Sequence, residues 1–223
     1  MAAAGVIFDA YGTLLDVHSA MARHAARIGE NWAEISAAWR AKQLEYSWVR
    51  SLAGPTHHRD FGVLTDAALE FVAIKYGLTD AALLADLRSA YRALSAYPEA
   101  PDMLCAIRAE GIPTAILSNG EPGMLKAGVK AAGLDLLLDE VLSVESVGVF
   151  KPDARVYQHA VARLGGDASK LVFVSSNAWD AFGAHCNGLR VVWVNRTAQP
   201  DEYGLRSVAA EVADLRDLAK SVT

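Results

Sequence analysis

The sequence has few cysteines and no long apolar run, and these shortages exclude several classes of protein. The only cysteines among 223 residues are Cys105 and Cys186, which lack the close spacing of zinc ligands or of a disulfide framework. Cys105 lies in the helical pattern DMLCAIRAEG, where we expect a buried apolar thiol. No apolar stretch approaches the ~18 residues of a membrane-spanning helix, and no signal-peptide pattern is visible. We therefore expect a protein of the reducing cytoplasm.

An excess of positive charge is missing as well. Lys and Arg number 21 against 26 Asp and Glu, which gives a formal net charge of −5 and a pI near 5.7. This balance argues against nucleic acid or an anionic membrane surface as the main partner. Hydrophobic residues make up 52% of the chain, so the composition predicts a globular protein with a substantial core.

Five short apolar runs have the composition of buried β-strands, and most are nearly continuous in apolar residues. They occupy residues 5–10, 113–119, 140–147, 171–176 and 189–195. The helical patterns between the last four runs cover residues 122–132, 153–164 and 179–186. This alternation predicts right-handed βαβ units in an α/β fold with a Rossmann-like parallel sheet.

A long helical segment interrupts this alternation near the N-terminus. Residues 17–97 carry no strand signal and several helical periodicities, of which NWAEISAAWRAKQLEYSWVRSL is the longest. We therefore predict an α/β core from residues 1–16 and 98–223 and an all-helical cap from residues 17–97. Because the cap begins just after the first strand, we expect it above the carboxyl edge of the sheet, where ligands bind in open parallel sheets.

Polar side chains follow four of the five predicted strands. Asp9 ends the first strand in FDAYGTLLD, while Ser118 and Asn119 end the second. Those that follow the fourth strand are Ser175, Ser176, Asn177 and Asp180. Taken singly, such residues are ordinary turn and helix-cap residues. Lys151, between the third strand and a proline-started helix, is not a cap residue and is a natural counter-ion for Asp9 and Asp180.

Four motifs in combination resemble those of the haloacid dehalogenase superfamily. They are FDAYGTLLD, ILSNG, VFKPD with Tyr157, and FVSSNAWDAFGAHCNG. More narrowly, the chain resembles the L-2-haloacid dehalogenases over its whole length, including WRAKQLEYSW in the predicted cap. The resemblance implies the haloacid dehalogenase fold with an inserted cap, an aspartate nucleophile, a small-molecule 2-haloacid substrate and a homodimer. It implies no cofactor and no metal.

Two positions depart from the phosphatases of the same superfamily. Those enzymes use a D-x-D motif, whose second acid protonates the leaving group, and here that position is Tyr11. Their G-D-x-x-x-D motif helps to hold Mg²⁺, and here Ser176 stands in place of its first acid. Phosphoryl transfer normally needs a metal to neutralise charge. A halide leaves as a stable monoanion without a proton, so these departures favour metal-free displacement at carbon.

The resemblance implies a role for each catalytic residue. Asp9 would attack C2 of a short L-2-haloalkanoic acid and form an ester, which water then opens at the Asp9 carbonyl to give a D-2-hydroxy acid. Lys151 would keep Asp9 ionised in a dry site, and Asp180 would orient or deprotonate the water. The other catalytic residues are predicted to be Thr13, Ser175 and Asn177.

The carboxylate and the halide of the substrate need separate contacts. Ser118 and the backbone N–H groups near residues 10–12 would hold the carboxylate. Arg40 alone would be interpreted as a solvated surface residue, whereas the resemblance makes it a clamp for halide or carboxylate. Asn119 and Trp179 would join it at the halide.

Contacts to the alkyl group are less specific in sequence. Tyr11, Leu44 and Phe61 would line the pocket, although core packing accounts for them equally well. The stretch AGPTHHRDF departs from the family pattern, which leaves the register of Phe61 open. Tyr157 either hydrogen-bonds near the nucleophile or packs as a core ring.

Three other functions stay open at this point. The first is a hydrolase that opens another C2 electrophile, such as a cyclic imino acid. The second is a Mg²⁺-dependent phosphatase, which Tyr11 and Ser176 oppose. The third is a binding protein on a retired fold, which the intact Asp9, Lys151 and Asp180 oppose.

Overall fold

Six parallel strands form one sheet within residues 3–216 and 218–222, which the structure, a computed structural model, describes. They are β1 (Gly5–Phe8), β2 (Thr114–Ser118), β3 (Glu140–Ser143), β4 (Leu171–Ser175), β5 (Arg190–Val194) and β6 (Ala210–Val212). Their order across the sheet is β3-β2-β1-β4-β5-β6. Every residue of β1, β2 and β4 is buried, which explains why these strands are continuous apolar runs in the sequence.

The predicted alternation of strands and helices is confirmed. The helices are α1 (Ser19–Ala22), α2 (Ala25–Ile28), α3 (Trp32–Ala53), α4 (Phe61–Tyr76), α5 (Ala81–Tyr91), α6 (Ala100–Ala109), α7 (Pro122–Ala131), α8 (Ala154–Arg163), α9 (Ala178–Cys186) and α10 (Leu218–Val222). Helices α1 to α5 all lie between β1 and β2 in sequence, as the insertion of a helical segment into an α/β fold requires. Among the helices of the described ranges, none combines the length and the apolar character that crossing a bilayer requires.

The chain segments that connect β1 to α1 and α5 to α6 pair with each other. The backbone N–H of Asp16 donates to the carbonyl of Ser95 at 2.8 Å, and that of Tyr97 donates to Leu14 at 2.9 Å. Arg196 stacks its guanidinium 3.7 Å from the centre of the Tyr97 ring. Both connections of the helical segment are therefore held together next to the loop that follows β1.

The prediction that Cys105 is buried is wrong. The buried residues of α6 are Ala100, Met103, Leu104 and Ile107, which follow the helical period. Cys105 lies outside this stripe and is exposed. A helical pattern therefore fixes the secondary structure of a cysteine without fixing its burial.

Candidate active site

The carboxyl ends of β1, β2 and β4 bring the predicted catalytic residues to one edge of the sheet. Phe8 is in register with Ile116 of β2 and with Val174 of β4. The residues that follow these strands consequently meet around Asp9. Asp9 is only 5% exposed, so partners from the protein must replace the water that its carboxylate loses.

Three side chains from different segments donate hydrogen bonds to the Asp9 carboxylate. Lys151 Nζ lies 3.2 Å from Oδ1, while Thr13 Oγ1 and Asn177 Nδ2 donate to Oδ2 at 3.1 and 2.8 Å. Gly12 has a φ of 93°, a conformation that favours glycine, and this turn lets Thr13 fold back onto Asp9. These contacts compensate for the desolvation of an ionised aspartate.

Lys151 bridges two buried carboxylates. Its Nζ lies 3.2 Å from Asp9 and 2.8 Å from Asp180 Oδ2. Asp180 is fully buried and also accepts hydrogen bonds from Ser175 Oγ at 3.1 Å and from the Tyr157 hydroxyl at 2.7 Å. Burial raises the pKa of Asp180 to about 6, although Lys151 opposes the shift. A carboxyl group that ionises near neutral pH can accept a proton from a bound water.

Close packing between α8 and α9 sets the contact of Tyr157 with Asp180. A Cβ atom at Gly183 would lie 2.5 Å from the Tyr157 hydroxyl oxygen, so only glycine permits this approach. Burial raises the pKa of Tyr157 well above its usual value. The phenol therefore stays protonated and donates to the carboxylate.

The side chains around Asp9 do not fit a divalent cation such as the Mg²⁺ of the related phosphatases. The ammonium of Lys151 lies between Asp9 and Asp180, in the place that a cation bridging them would occupy. The other donors nearby include the hydroxyls of Thr13 and Ser175. In the part of the chain that the structure describes, no three His, Cys, Asp or Glu side chains are grouped to hold a metal ion.

Arg40 and Asn119 reach the same edge of the sheet. The half-buried Arg40 of α3 donates to the carbonyl oxygen of Tyr11 at 3.3 Å, across to the loop after β1. Asn119 Oδ1 accepts the backbone N–H of Lys151 at 3.0 Å. Ser118 is buried at the end of β2, where its Oγ accepts the backbone N–H of Gly120 at 3.1 Å. The hydrogen bond of the Ser118 hydroxyl therefore stays within the turn that follows β2.

Aromatic side chains form one wall of this edge. Phe61 is fully buried at the start of α4, and its ring centre lies 5.9 Å from that of Tyr11 and 6.1 Å from that of Phe150. The sequence leaves the register of Phe61 open, and in the structure its ring faces Tyr11. Leu44 is half-buried, four residues after Arg40 on the same face of α3.

Trp179 separates two clefts beside the catalytic residues. A cleft of about 370 Å³ includes Arg40 and Asn177 in its lining, and one of about 490 Å³ includes Lys151 and Trp48. Trp179 lines both clefts and packs edge-on against Trp48 with ring centres 5.4 Å apart. Trp179, the predicted halide contact, therefore borders both clefts.

Two further residues next to the site, Gln43 and Tyr91, were not predicted from the sequence. The Tyr91 ring stacks on Tyr11 with centres 5.9 Å apart, and its hydroxyl donates to Gln43 Oε1 at 2.9 Å. A signal for Gln43 exists in the sequence, because it shares a helical stripe with Trp32, Ile35, Trp39 and Tyr46, where a polar residue needs a partner. Tyr91 has no comparable signal, since a tyrosine near a helix end is common in ordinary cores.

Comparisons with known proteins agree on one family. Residues 3–188 match the family described as haloacid dehalogenase-like hydrolase. The (S)-2-haloacid dehalogenase 4A of Burkholderia cepacia is 46% identical over 222 residues, which cover 97% of this chain and 95% of that protein. The chain therefore belongs to the haloacid dehalogenase-like hydrolases, and the resemblance to L-2-haloacid dehalogenases is confirmed.

Solved structures agree with this assignment. A dehalogenase with an intermediate complex is 44% identical, with a TM-score of 0.95 over 99% of this chain and 97% of that one. The L-2-haloacid dehalogenase of Xanthobacter autotrophicus with chloropropionic acid covalently bound is 34% identical, with a TM-score of 0.89 over 99% and 98% of the two chains. These similarities extend over both the sheet and the helical segment between β1 and β2.

Proposed function

We propose that this protein is a metal-free hydrolytic dehalogenase that converts short L-2-haloalkanoic acids into D-2-hydroxy acids. The observation that carries the proposal is the buried cluster in which Lys151 lies 3.2 Å from Asp9 and 2.8 Å from Asp180. Relatives 45–46% identical over nearly the full length are (S)-2-haloacid dehalogenases. The cluster supplies an ionised nucleophile and a base, which are the two groups that this reaction needs.

In the first step, Asp9 displaces the halide. Thr13 and Asn177 hold Oδ2, which fixes the rotation of the carboxylate and leaves Oδ1 beside Lys151 for attack on C2. A carbon–oxygen bond forms, the carbon–halogen bond breaks, and the halide leaves with the bonding electron pair. Attack from the side opposite the halide inverts C2, so an L substrate gives a D product.

In the second step, water hydrolyses the ester at the Asp9 carbonyl carbon. Asp180 accepts a proton from this water. The acyl carbon–oxygen bond then breaks, and the alkoxide oxygen of the product takes the proton from Asp180, so the product leaves as an alcohol and Asp180 is ionised again. The new carboxyl group of Asp9 releases its proton to solvent and returns as the carboxylate. Asp9 is regenerated with one oxygen atom that comes from water.

The remaining residues of the site hold the substrate in this proposal. Arg40 and Asn119 would bind the anionic groups, with Ser118 at the turn after β2. The substrate faces the aromatic wall on its alkyl side, where Tyr11 and Phe61 lie with ring centres 5.9 Å apart. Leu44 and Trp179 complete the predicted lining.

The helical segment acts as a cap in the same proposal, with residues 17–97 covering a core made of residues 1–16 and 98–223. Arg40 supports this division, because it extends from α3 to the carbonyl of Tyr11 in the core. A nucleophilic carboxylate that approaches a substrate carboxylate meets like-charge repulsion. Excluding water strengthens the compensation by Arg40 and Lys151.

Chloride release tests the activity directly. Incubation with L-2-chloropropionate in EDTA is expected to release chloride, and the D enantiomer serves as the matched control. In H₂¹⁸O under single-turnover conditions, mass spectrometry should find the label in Asp9 and not in the product. The proposal fails if neither enantiomer releases chloride while p-nitrophenyl phosphate is cleaved with Mg²⁺.

The pKa of Asp180 predicts how activity depends on pH. The pKa of Asp180 is about 6, and only its ionised form accepts the proton. We therefore expect kcat to decrease as the pH is lowered below about 6. The hydrogen bond from Tyr157 lowers the pKa of Asp180, so Tyr157→Phe should shift this acidic limb upward, by roughly one pH unit or less. Profiles of kcat for the unaltered protein, for Tyr157→Phe and for Tyr203→Phe, a 55% exposed control, test the shift. Equal midpoints in all three proteins would exclude Asp180 as the base.

The same group contributes oppositely to stability. Its pKa in the folded state lies above the ordinary value of 3.8, so between about pH 4 and pH 6 the folded state binds the proton more tightly than the unfolded state. The contribution of Asp180 to the free energy of unfolding therefore decreases as pH rises through this window. Activity should rise through the same pH window. Because stability and activity change in opposite directions, a loss of activity at low pH cannot come from unfolding caused by Asp180.

We further propose a cytoplasmic homodimer, as the family resemblance implies. Leu52 of α3 and Ile74 of α4 are 88% and 85% exposed, and such apolar side chains support a subunit contact on the helical segment. Light scattering should give twice the 23.8 kDa mass of one chain. A particle of a single chain at working concentration contradicts the dimer, and absence from the cytoplasmic fraction contradicts the location.

A further inference from the structure

A buried carboxamide lies behind the guanidinium of Arg40. Gln43 is 0% exposed and follows Arg40 by three residues on α3. Its Oε1 accepts hydrogen bonds from the Tyr91 hydroxyl at 2.9 Å and from Arg40 Nη1 at 3.4 Å. Its Nε2 is buried without a hydrogen-bond partner among the described residues.

The two donors determine how the carboxamide is oriented. A guanidinium has only donors, so the oxygen of Gln43 must be the atom that faces Arg40. Burial raises the pKa of Tyr91, so its hydroxyl also stays protonated and can donate. The amide N–H₂ group consequently has no acceptor among the described residues. A buried donor without an acceptor is unfavourable, and an apolar side chain of similar shape would avoid that penalty.

The contacts of Gln43 continue to the nucleophile. Arg40 Nη2 donates to the carbonyl oxygen of Tyr11 at 3.3 Å, and Asn177 Nδ2 donates to the same oxygen at 3.1 Å. Asn177 Nδ2 also lies 2.8 Å from Asp9 Oδ2. One uninterrupted series of hydrogen bonds thus joins Gln43 to Asp9 through Arg40.

We propose that Gln43 is a positioning residue that orients Arg40 for the anionic substrate and is retained at the expense of stability. Without Oε1, the long side chain of Arg40 loses its hydrogen bond on the helix side, while its contact to the Tyr11 carbonyl remains. The inference rests on the proposed function in one respect, since it assigns Arg40 to the binding of a 2-haloacid. An unpaired donor at full burial lowers stability, and such departures are expected at functional sites more than at residues that serve only the core.

Kinetics of a double variant test the role. Gln43→Met with Tyr91→Phe removes both polar partners and leaves no hydroxyl unpaired, so Tm should stay equal or rise. KM for L-2-chloropropionate should rise about 10-fold, and kcat should change much less. The matched control is Ser47→Ala on the next turn of α3, where the buried hydroxyl donates only to the Leu44 carbonyl among the described residues. Its KM should equal that of the unaltered protein.

A binding measurement separates this inference from the proposed function. In an Asp9→Ala background, tryptophan fluorescence reports the Kd of L-2-chloropropionate without turnover. Adding Gln43→Met and Tyr91→Phe should raise this Kd about 10-fold, and adding Ser47→Ala should not change it. If the unaltered protein releases no chloride but this difference in Kd is found, the dehalogenase proposal fails and the role of Gln43 stands. Equal Kd values, or a Tm that falls together with kcat, overturn the role.

Discussion

Replacing Asp9 by alanine is expected to abolish chloride release, with a loss on the order of 10⁴-fold or more. The substitution removes the only group in the proposed mechanism that bonds to C2. The fold should survive, because Lys151 keeps its 2.8 Å contact with Asp180, and Asn177 keeps the Tyr11 carbonyl as an acceptor. Release of chloride by ion chromatography measures the loss, and the Tm checks the fold.

Asp16 provides the matched control for this prediction. It is the second aspartate of FDAYGTLLD, and its side chain accepts the backbone N–H of His18 at 2.9 Å instead of contacting the catalytic cluster. Asp16→Ala should therefore keep most of the activity while losing an acidic residue from the same motif. If Asp9→Ala retains activity similar to that of Asp16→Ala, the covalent mechanism is wrong.

Replacing Lys151 by methionine is expected to remove activity and to lower the free energy of unfolding by about 3–5 kcal/mol at neutral pH. The ammonium is 1% exposed and pairs with two carboxylates that are themselves nearly or fully buried. Methionine fills a similar volume but leaves Asp9 and Asp180 as uncompensated like charges. Chemical denaturation of the variant measures the loss of stability.

The loss of stability in Lys151→Met should depend on pH, and the direction of this dependence identifies its cause. Lys151 lowers the pKa of Asp180, so without the ammonium this pKa lies further above its value in the unfolded chain, and the folded variant favours the protonated carboxyl group. Stability is then lost as pH rises, and the variant should be less impaired near about pH 5 than near about pH 8. A loss that is equal at both pH values would indicate a packing defect instead of unpaired charge.

An exposed ion pair supplies the control for the stability loss expected in Lys151→Met. Arg163 lies 2.6 Å from Glu140, but the two side chains are 53% and 31% exposed. Arg163→Met should lower the free energy of unfolding by no more than about 1 kcal/mol. If it destabilises the protein as much as Lys151→Met does, burial of the cluster is not the reason for the larger effect.

Most of the sheet could be predicted from sequence because its strands are covered on both faces. The runs that contain β1, β2 and β4 are continuous in buried apolar residues, and this leaves little ambiguity. The edge strand β6 was not predicted. Its three residues, AEV, are exposed or half-buried and, among the described residues, pair with β5 alone, so no hydrophobic pattern marks them. A strand of this kind is defined by its neighbour.

Asp9, Lys151 and Asp180 could be brought together by prediction for a simple geometric reason. Each follows the carboxyl end of a parallel strand, and those ends share one edge of the sheet. Gln43 and Tyr91 belong to helices whose packing angles have no such rule. Their 2.9 Å hydrogen bond joins residues 48 positions apart and could not be predicted from spacing.

The amino-acid sequence by itself determined the alternation of buried strands and helices, the helical insertion after β1 and the order of polar residues along one sheet edge. These features depend on hydrophobic period and on chain order, which are local properties. Only the tertiary structure decided that Lys151 is shared by two carboxylates, that Gly183 admits the Tyr157 hydroxyl, and that Phe61 faces Tyr11. Those contacts depend on desolvation and close packing between segments far apart in the chain, which no single stretch of sequence encodes.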